Sequence, residues 1–310
     1  MQIILAQHAG FCCGVKRAIE IAMSARQKAG AIVYVLGHLV HNEAVVAQLE
    51  TWGVKVIEQL AAAEPCSTVL ITAHGLDYRI VQEAQESGFQ VIDTTCPIIQ
   101  KVHRFTRQFL LEGRQIVIIG HPDHIEVKGI MGVAEGKAQI VSRVDDIAHL
   151  SCEHLEKLGV VVQTTFNVTK MQEIIQQLKQ QFPTIDVAVR QTICPDVMEK
   201  QNEIRKLADK VDAVVVVGSK SSSNTTRLYE IAREICPHTY FVSHAAELEV
   251  VPLNRLETII ITAGASTPDW IIEEVIKYLK HSTGMEGWQA GSNSFIQYSN
   301  LLLNHQTPSI

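Results

Sequence analysis

Three short, continuous runs of apolar residues in this chain each end in a glycine. They are IVYVLG (32–37), IVIIG (116–120) and AVVVVG (213–218). Short runs that are apolar at every position are typical of central parallel strands that helices cover on both faces. The pattern therefore predicts one buried parallel strand in each of three regions of the chain.

An amphipathic stretch precedes each of these strands, with apolar residues that recur every three or four positions. This spacing is typical of a helix with one buried face. In the second region the face is formed by Ile98, Val102, Phe105 and Phe109. His103 has basic neighbours in the same stretch, and we expect its side chain to be solvated. Each region is thus predicted to contain a helix followed by a strand.

A cysteine stands in front of each predicted helix, in the stretches GFCCGV, DTTCPI and TICPDV. The distance from this cysteine to the glycine that ends the strand is 25 residues for Cys12 and 24 residues for Cys96 and Cys194. We interpret the three regions as copies of one β-α-β unit. Counting from Cys13 would also give 24 residues, so the spacing leaves the choice between Cys12 and Cys13 open.

The copies also agree at polar positions, which lie four and six residues after the glycine and at the end of a further strand. In chain order these positions are occupied by His41, Glu43, His74, His124, Glu126, Thr164, Ser222, Asn224 and Ser266. Ligands of open parallel sheets bind beyond the carboxyl ends of the strands, where these residues fall. The sequence therefore predicts an α/β protein with three similar small modules, mainly parallel sheets, a pseudo-threefold axis and a central cavity.

The repeat also predicts where the modules begin and end. We expect a first α/β module at residues 1–97, a second at 98–193 and a third at 194–281. Residues 282–310 contain several glycine, serine and asparagine residues and are expected to form a tail outside the repeat.

Composition narrows the class of protein. The 310 residues are 46% hydrophobic and 19% charged, with a net charge of −6 and no basic cluster, which argues against nucleic-acid binding. No apolar run approaches the roughly 18 residues of a membrane span, and the first residues lack the basic flank of a signal peptide. We therefore expect a cytoplasmic protein with no nucleic-acid or membrane partner.

The seven cysteines argue against a disulfide framework and a zinc ribbon, because their number is odd and no CxxC pair occurs. Cys66, Cys152 and Cys236 have no place in the repeat and are expected to be packing thiols. One thiol from each copy could be a core residue, a zinc ligand or an iron–sulfur ligand. Zinc usually takes closely spaced pairs, whereas three separated thiolates suit a cubane cluster. Three ligands leave one of four irons open, so that it can act as a Lewis acid.

Eight motifs, in order from about residue 10 to residue 280, resemble those of the 4-hydroxy-3-methylbut-2-enyl diphosphate reductase (LytB/IspH) family. They are GFCCGVKRA, LVHNEAV, TAHGLD, DTTCP, HPDHIEVKGIMG, QTTFNV, VGSKSSSNTTRL and TAGASTPDW. The resemblance implies a 4Fe–4S reductase at the last step of the non-mevalonate isoprenoid pathway. It would convert an allylic diphosphate substrate to isopentenyl and dimethylallyl diphosphate by two-electron reductive dehydroxylation, with ferredoxin or flavodoxin as electron donor.

The resemblance also implies the roles of individual residues. It selects Cys12, with Cys96 and Cys194, as the three cysteine ligands of the cluster. Glu126 is implied as the acid that protonates the departing hydroxyl, and Thr164 as the residue that relays or positions this proton beside the substrate. The residues implied in diphosphate binding are His41, His74, His124, Ser222, Ser223, Asn224 and Ser266.

The chain departs from the family pattern at three places. Cys13 stands where a small residue is common, Ile125 replaces a proline before the glutamate, and Pro195 follows the third cysteine. Two other classes of function remain open. A zinc hydrolase would use His121, His124 and Glu126, and a cluster-containing sensor would have no catalytic activity.

Overall fold

The computed structural model describes residues 2–151, 156–252 and 256–282. The strands in these ranges are β1 (Gln2–Leu5), β2 (Val33–Leu36), β3 (Val54–Ile57), β4 (Thr68–Ile71), β5 (Gln90–Asp93), β6 (Gln115–Ile119), β7 (Gln139–Val141), β8 (Lys157–Val162), β9 (Asp186–Val189), β10 (Ala213–Val217), β11 (Thr239–Val242) and β12 (Thr258–Ala263). The helices are α1 (Cys13–Ala29), α2 (Glu43–Thr51), α3 (Tyr78–Glu86), α4 (Pro97–Leu111), α5 (Ile125–Val133), α6 (Val168–Gln181), α7 (Pro195–Leu207), α8 (Ser223–Ile235) and α9 (Asp269–Ser282). The predicted tail lies outside the described residues apart from Ser282, and so does Cys152.

The strands form three four-stranded sheets in which all neighbours are parallel. The strand orders are β3-β2-β4-β5, β7-β6-β8-β9 and β11-β10-β12-β1. In each sheet the strand with the glycine-ended run, β2, β6 or β10, lies second. The prediction of three similar α/β modules with parallel sheets is confirmed.

The chain divides into two compact units, which we name by their sheets. The two-sheet unit comprises residues 13–198 and contains the sheets of β2–β5 and β6–β9. The one-sheet unit comprises the described residues up to 12 and from 199 to 282, and contains β1 with β10–β12. No helix in the described ranges combines the length and the hydropathy needed to cross a membrane.

Strand β1 belongs to the sheet of the C-terminal part of the chain. The sequence places residues 1–97 in one module, whereas β1 pairs with β12 in the register Gln2 to Thr258 and Leu5 to Ile261. Ile3 is only 5% exposed and packs in the same core as Ile259 and Ile261. Burial of this short apolar strand against the edge of the sheet therefore explains its position.

The glycine-ended runs are apolar because their strands are buried on both faces. Residues 116–119 of β6 are at most 1% exposed, and all residues of β10 are 0% exposed. Burying one valine or isoleucine side chain contributes about 1.5–3 kcal/mol, so the apolar pattern follows directly from the position of these strands. The strand predictions in all three regions are confirmed.

The glycine after each of these strands allows the next helix to begin close to the sheet. Gly37 has a φ of +80°, in the left-handed region that favours glycine. At Gly120 the reason is space, because a Cβ atom would lie 2.7 Å from Cγ2 of Val127 in α5. The close approach places the start of α5, with His124 and Glu126, against the end of β6.

Candidate active site

The three cysteines of the repeat occupy the same local position in the fold. Each lies directly before a helix, α1, α4 or α7. Each also donates its backbone N–H to a carbonyl oxygen two residues beyond the end of the neighbouring strand, β12, β4 or β8. These N···O distances are 3.0 Å from Cys12 to Ala265, 2.9 Å from Cys96 to Ala73 and 2.9 Å from Cys194 to Thr164.

This hydrogen bond ties each cysteine to a loop that carries a predicted substrate residue. Ala265 is followed by Ser266, and Ala73 is followed by His74. In the third instance the acceptor is Thr164 itself. The backbone therefore couples the position of each thiol to the position of a polar residue at a strand exit.

The position relative to the helix start also distinguishes Cys12 from Cys13. Cys13 is the first residue of α1, at the position where α4 and α7 begin with a proline. Its side chain is exposed, whereas Cys12, Cys96 and Cys194 are half-buried. By position and by burial, Cys12 is the equivalent of the other two cysteines.

Two of the thiols lie in the two-sheet unit at helix N-termini. Burial raises the pKa of Cys96, and the nearby backbone N–H groups of Ile98 and Ile99 at the start of α4 lower it. Burial likewise raises the pKa of Cys194, opposed by the N–H groups of Val197 and Asp196. Because N–H groups at a helix start stabilise negative charge, both sulfurs are suited to act as thiolate ligands.

Glu126 is the second residue of α5 and is held by Thr164. The backbone N–H of Thr164 donates to Oε1 at 2.7 Å, and its hydroxyl group lies 2.8 Å from Oε2. Glu126 is 1% exposed and Thr164 is 5% exposed. Burial raises the pKa of Glu126 to about 7, although both hydrogen bonds from Thr164 act in the opposite direction. The carboxyl group is therefore an acid that changes charge near neutral pH.

Three histidines cluster in the two-sheet unit. The ring centroids of His41 and His74 are 4.3 Å apart, and those of His41 and His124 are 6.2 Å apart. Burial, together with the neighbouring rings, lowers the pKa of His41, lowers that of His74 well below its ordinary value and brings that of His124 to about 4. At neutral pH the cluster is therefore uncharged and offers neutral hydrogen-bond donors.

Local contacts fix how two of these rings can be used. Nδ1 of His124 accepts the backbone N–H of Glu126 at 3.2 Å, which caps α5. In the neutral ring the proton is then on Nε2, which is left as the donor. Nδ1 of His74 is buried and has no hydrogen-bond partner among the described residues. A buried polar atom without a partner is costly, which favours a ligand at this position.

The remaining predicted substrate residues lie in the one-sheet unit. Ser222 caps α8 and accepts the N–H of Thr225 at 3.3 Å, and Ser223 is the first residue of that helix. Asn224 is 3% exposed, and within the described parts of the chain neither its amide oxygen nor its amide nitrogen has a partner. Ser266 is buried, and the carbonyl oxygen of the residue before it, Ala265, accepts the backbone N–H of Cys12.

The two-sheet unit thus brings together His41, His74, His124, Glu126, Thr164, Cys96 and Cys194. Within the one-sheet unit, Ser266 follows Ala265, whose carbonyl oxygen accepts the N–H of Cys12. Helix α8 has Ser222 as its cap and begins with Ser223 and Asn224.

The contacts of Glu126 and His124 argue against the alternative of a zinc site. Both oxygens of Glu126 and Nδ1 of His124 are already engaged, which favours an acid and a hydrogen-bond donor over a chelate. Among the described residues, no three histidine, cysteine or acidic side chains are placed to hold a single metal ion.

The prediction that His103 is solvated is wrong. The side chain is 9% exposed, and its Nε2 has no partner among the described residues. Its ring packs against Gly75 and Gly129, where added Cβ atoms would lie 3.4 Å and 3.6 Å away. The buried face of α4 differs from the predicted one, because Ile99 and Thr106 are buried while Ile98 and Phe105 are only half-buried.

The cysteines outside the repeat have different surroundings. Cys236 is 4% exposed, so the prediction of a packing thiol is confirmed for it. Cys66 is exposed, in a turn with a φ of +61°, so the same prediction is wrong there.

No role was assigned to Arg17 and Lys200 from the sequence. The side chain of Arg17 contacts the loop before Cys96, and that of Lys200 contacts the loop before Cys12. The available signal was a basic residue five or six positions after a repeat cysteine.

Comparison with known proteins supports the resemblance over most of the chain. The family described as LytB protein matches residues 3–280. A 4-hydroxy-3-methylbut-2-enyl diphosphate reductase of Neisseria meningitidis is 39% identical over 289 residues, which cover 92% of this chain and 90% of the relative. A protein of the same name from Methylibium petroleiphilum is 39% identical over 278 residues, which cover 90% of this chain and 84% of the relative.

Solved structures give the same result. The structure of the E-1-hydroxy-2-methyl-but-2-enyl-4-diphosphate reductase from Plasmodium falciparum matches with a TM-score of 0.87 at 28% identity, over 98% of this chain and 97% of that chain. A structure of (E)-4-hydroxy-3-methyl-but-2-enyl diphosphate reductase, described as the terminal enzyme of the non-mevalonate pathway, matches with a TM-score of 0.67 at 36% identity. That match covers 91% of this chain and all of the solved chain.

Proposed function

This chain belongs to the LytB protein family, and from this premise we propose that it reduces 4-hydroxy-3-methylbut-2-enyl diphosphate to isopentenyl and dimethylallyl diphosphate. The reaction removes the allylic hydroxyl group and adds hydrogen at either end of the allyl unit, which gives the two products. The C–O bond breaks, a C–H bond forms, two electrons and two protons are taken up, and water leaves. The buried pair of Glu126 and Thr164 is the observation that carries the proposal, because this reaction requires an acid for the departing oxygen.

We propose that Cys12, Cys96 and Cys194 are the ligands of a 4Fe–4S cluster. The proposal is supported by their equivalent positions before three helices and by the backbone N–H groups at the starts of α4 and α7, which lower the pKa of Cys96 and Cys194 against the effect of burial. Helix N-termini stabilise anionic thiolate ligation, so this donor set fits the cluster. Such a cluster supplies the electrons and an iron that acts as a Lewis acid.

Glu126 is proposed as the proton donor to the departing oxygen. With a pKa of about 7, a large fraction of the carboxyl groups is protonated at neutral pH, unlike an ordinary exposed glutamate. The hydroxyl of Thr164 lies 2.8 Å from Oε2 and can both accept and donate, so it can pass the proton on. Burial of both residues also keeps bulk water from competing for the proton.

The diphosphate is proposed to be held by neutral donors rather than by a basic cluster. These donors are His41, His74, His124, Ser222, Ser223, Asn224 and Ser266. The buried, unpartnered nitrogens Nδ1 of His74 and Nδ2 of Asn224 support this, since a phosphate oxygen can accept an N–H from either and so remove the cost of an unsatisfied donor. A hydrogen bond to a charged group contributes about 1.5–3 kcal/mol, so several of them can bind this anion. Anchoring the diphosphate also orients the allylic hydroxyl group toward Glu126.

The same proposal includes the electron donor and the compartment. Ferredoxin or flavodoxin is proposed as the source of the two electrons. A cytoplasmic location is proposed because the cysteines of the described residues are all free thiols, which persist in a reducing compartment. No nucleic-acid or membrane partner is part of the proposal.

Anaerobic purification followed by iron, sulfide and zinc analysis tests the proposal. We expect a brown protein with about four irons and four sulfides per chain. With a chemical reductant it should consume the substrate and release both isoprenoid diphosphates. A colourless protein with one zinc ion would instead indicate a hydrolase. An iron–sulfur protein that leaves the substrate unchanged would indicate the sensor.

A further inference from the structure

Lys200 is a buried charged residue that contacts the loop leading to Cys12. It lies in α7 and is 2% exposed. Its ammonium group donates to the carbonyl oxygens of His8 and Gly10, and the distance from Nζ to the oxygen of Gly10 is 3.0 Å. A buried ammonium group is tolerated only when it is well hydrogen-bonded, so these contacts define where the loop lies.

The same helix holds the N–H groups of this loop. Glu203, one turn after Lys200, accepts the backbone N–H of Gln7 at 2.6 Å and that of His8 at 3.0 Å. The loop between β1 and α1 is thus fixed by a cation at its carbonyl groups and by an anion at its N–H groups. Other backbone N–H groups of the loop still pair with β12 and the residues that follow it, namely those of Ala6, Gly10 and Cys12. At Gln7 and His8, where this pairing is interrupted, the side chain of Glu203 supplies the partner.

A related contact fixes the loop that leads to Cys96 in the two-sheet unit. Arg17, in α1, donates from Nη1 to the carbonyl oxygen of Thr94 at 3.4 Å and to that of Thr95 at 3.3 Å. Thr95 directly precedes the cysteine. In the sequence, Arg17 stands five residues after Cys12, and Lys200 stands six residues after Cys194, so the two cations hold similar positions in the repeat.

We propose that Lys200 and Arg17 are positioning residues for the iron–sulfur cluster. They fix the backbone before Cys12 and Cys96, and they place positive charge at carbonyl groups one to four residues before these two thiolate ligands. An added electron makes the cluster more negative, so nearby cations stabilise the reduced state and raise the reduction potential. The inference rests on the proposed function, because it assumes that these thiols bind the cluster.

The test compares Lys200→Met with Lys200→Arg in the purified holoenzyme. Redox titration of the cluster, followed by its visible absorption and by electron paramagnetic resonance, gives the midpoint potential. We expect Lys200→Met to shift this potential downward, because it removes the charge but keeps the length of the side chain. Lys200→Arg should remain close to the wild type. Arg17→Met and Arg17→Lys form a second pair, which tests the proposal should Lys200→Met fail to fold.

Lys206→Met serves as a charge-matched control on the same helix. Lys206 is exposed, so its loss changes the net charge equally and should leave the potential unchanged. Hydrogen exchange over residues 2–12 of the purified protein gives an independent measure of the mobility of the loop. We expect several-fold faster exchange at the N–H groups of Gln7 and His8 in Lys200→Met, and little change in Lys206→Met.

Defined outcomes would overturn the inference. A wild-type potential in both methionine variants would show that the cations do not act on the cluster. Equal shifts in Lys200→Met and Lys200→Arg would show that packing, not charge, matters at this position. A wild-type protein that binds no iron would overturn the proposed function and with it the role at the cluster. The exchange measurement would then still report whether Lys200 holds the loop.

Discussion

Thr164 engages both carboxyl oxygens of Glu126, one through its backbone N–H at 2.7 Å and the other through its hydroxyl at 2.8 Å. A carboxyl group held at both oxygens keeps one orientation, and this one is almost fully buried. Burial raises its pKa to about 7 against the effect of these two hydrogen bonds. The pair therefore combines a fixed direction with a proton that is available near neutral pH.

Removing the hydroxyl of Thr164 should slow the proton transfer without loss of the substrate site. In Thr164→Val the backbone hydrogen bond to Glu126 remains, and we expect kcat to fall by about tenfold to a hundredfold with a smaller change in KM. The pKa of Glu126 should also rise, because a hydrogen bond that lowers it is lost. Steady-state kinetics over pH measures both effects. Thr164→Ser is the control and should restore most of the rate, and equal rates in Val and wild type would exclude the relay.

Replacing Glu126 by glutamine removes the proposed acid but keeps the shape of the side chain. The pKa of about 7 predicts that the wild-type rate falls as the pH rises through about 7, because the proton is lost. We expect Glu126→Gln to lose about 10²–10⁴ in turnover and to lack this pH limb. Its cluster absorption and its substrate affinity should be retained. Wild-type turnover in this variant would remove Glu126 from the mechanism.

The same substitution should stabilise the fold at high pH. The folded-state pKa of Glu126 is raised from 4.5 to about 7, so the folded protein holds a proton that the unfolded chain releases. Stability therefore falls as the pH rises from about 4.5 to about 7, by an amount on the order of 1–3 kcal/mol from this group. Glu126→Gln has no carboxyl group at this position, so its free energy of unfolding does not fall with pH for this reason. Denaturant unfolding of cluster-free protein at pH 5.5 and pH 8 should show an advantage of the variant that grows with pH.

Features that produce a regular pattern of residues could be predicted from the sequence. The strand β10 is buried on both faces, so every position is apolar and its run is visible without knowledge of the fold. The cysteine repeat was visible because each copy has a helix and a strand of similar length between the thiol and the glycine. Polar residues at strand exits followed from the parallel topology, and Glu126 and Thr164 do meet.

Features that depend on backbone contacts or on distant partners left no such trace. The N–H of Cys96 binds the carbonyl oxygen of Ala73, an interaction that requires no particular side chain. Strand β1 pairs with β12 from the other end of the described chain, which a repeat counted along the sequence does not reveal. The burial of His103 was not predictable because polar residues can occupy a buried helix face, and no role was assigned to Lys200 from the sequence because lysine is rarely buried.

Removing one proposed ligand should release the cluster. For Cys96→Ser we expect loss of iron and sulfide, because a serine hydroxyl is a poor substitute for a thiolate in an iron–sulfur site. Cys13→Ser is the matched control, since Cys13 is exposed and begins α1 rather than preceding it. Iron and sulfide analysis after anaerobic purification measures both. Unchanged iron in Cys96→Ser would contradict the ligand assignment, and loss of iron in Cys13→Ser would favour Cys13 over Cys12.

The histidine cluster should remain uncharged until an anion binds. Burial and neighbouring rings lower the pKa of His124 to about 4 and that of His74 well below its ordinary value, because the site opposes positive charge. In protein without the iron–sulfur cluster, the imidazole NMR signals of His124 should therefore titrate at about pH 4. The signals are assigned by their loss in His124→Gln. Inorganic diphosphate brings negative charge next to the rings, so the midpoint should move upward. A titration midpoint of His124 near 6.5 without ligand would contradict the burial of the three histidines. A midpoint that does not change when diphosphate is added would show that the anion binds elsewhere.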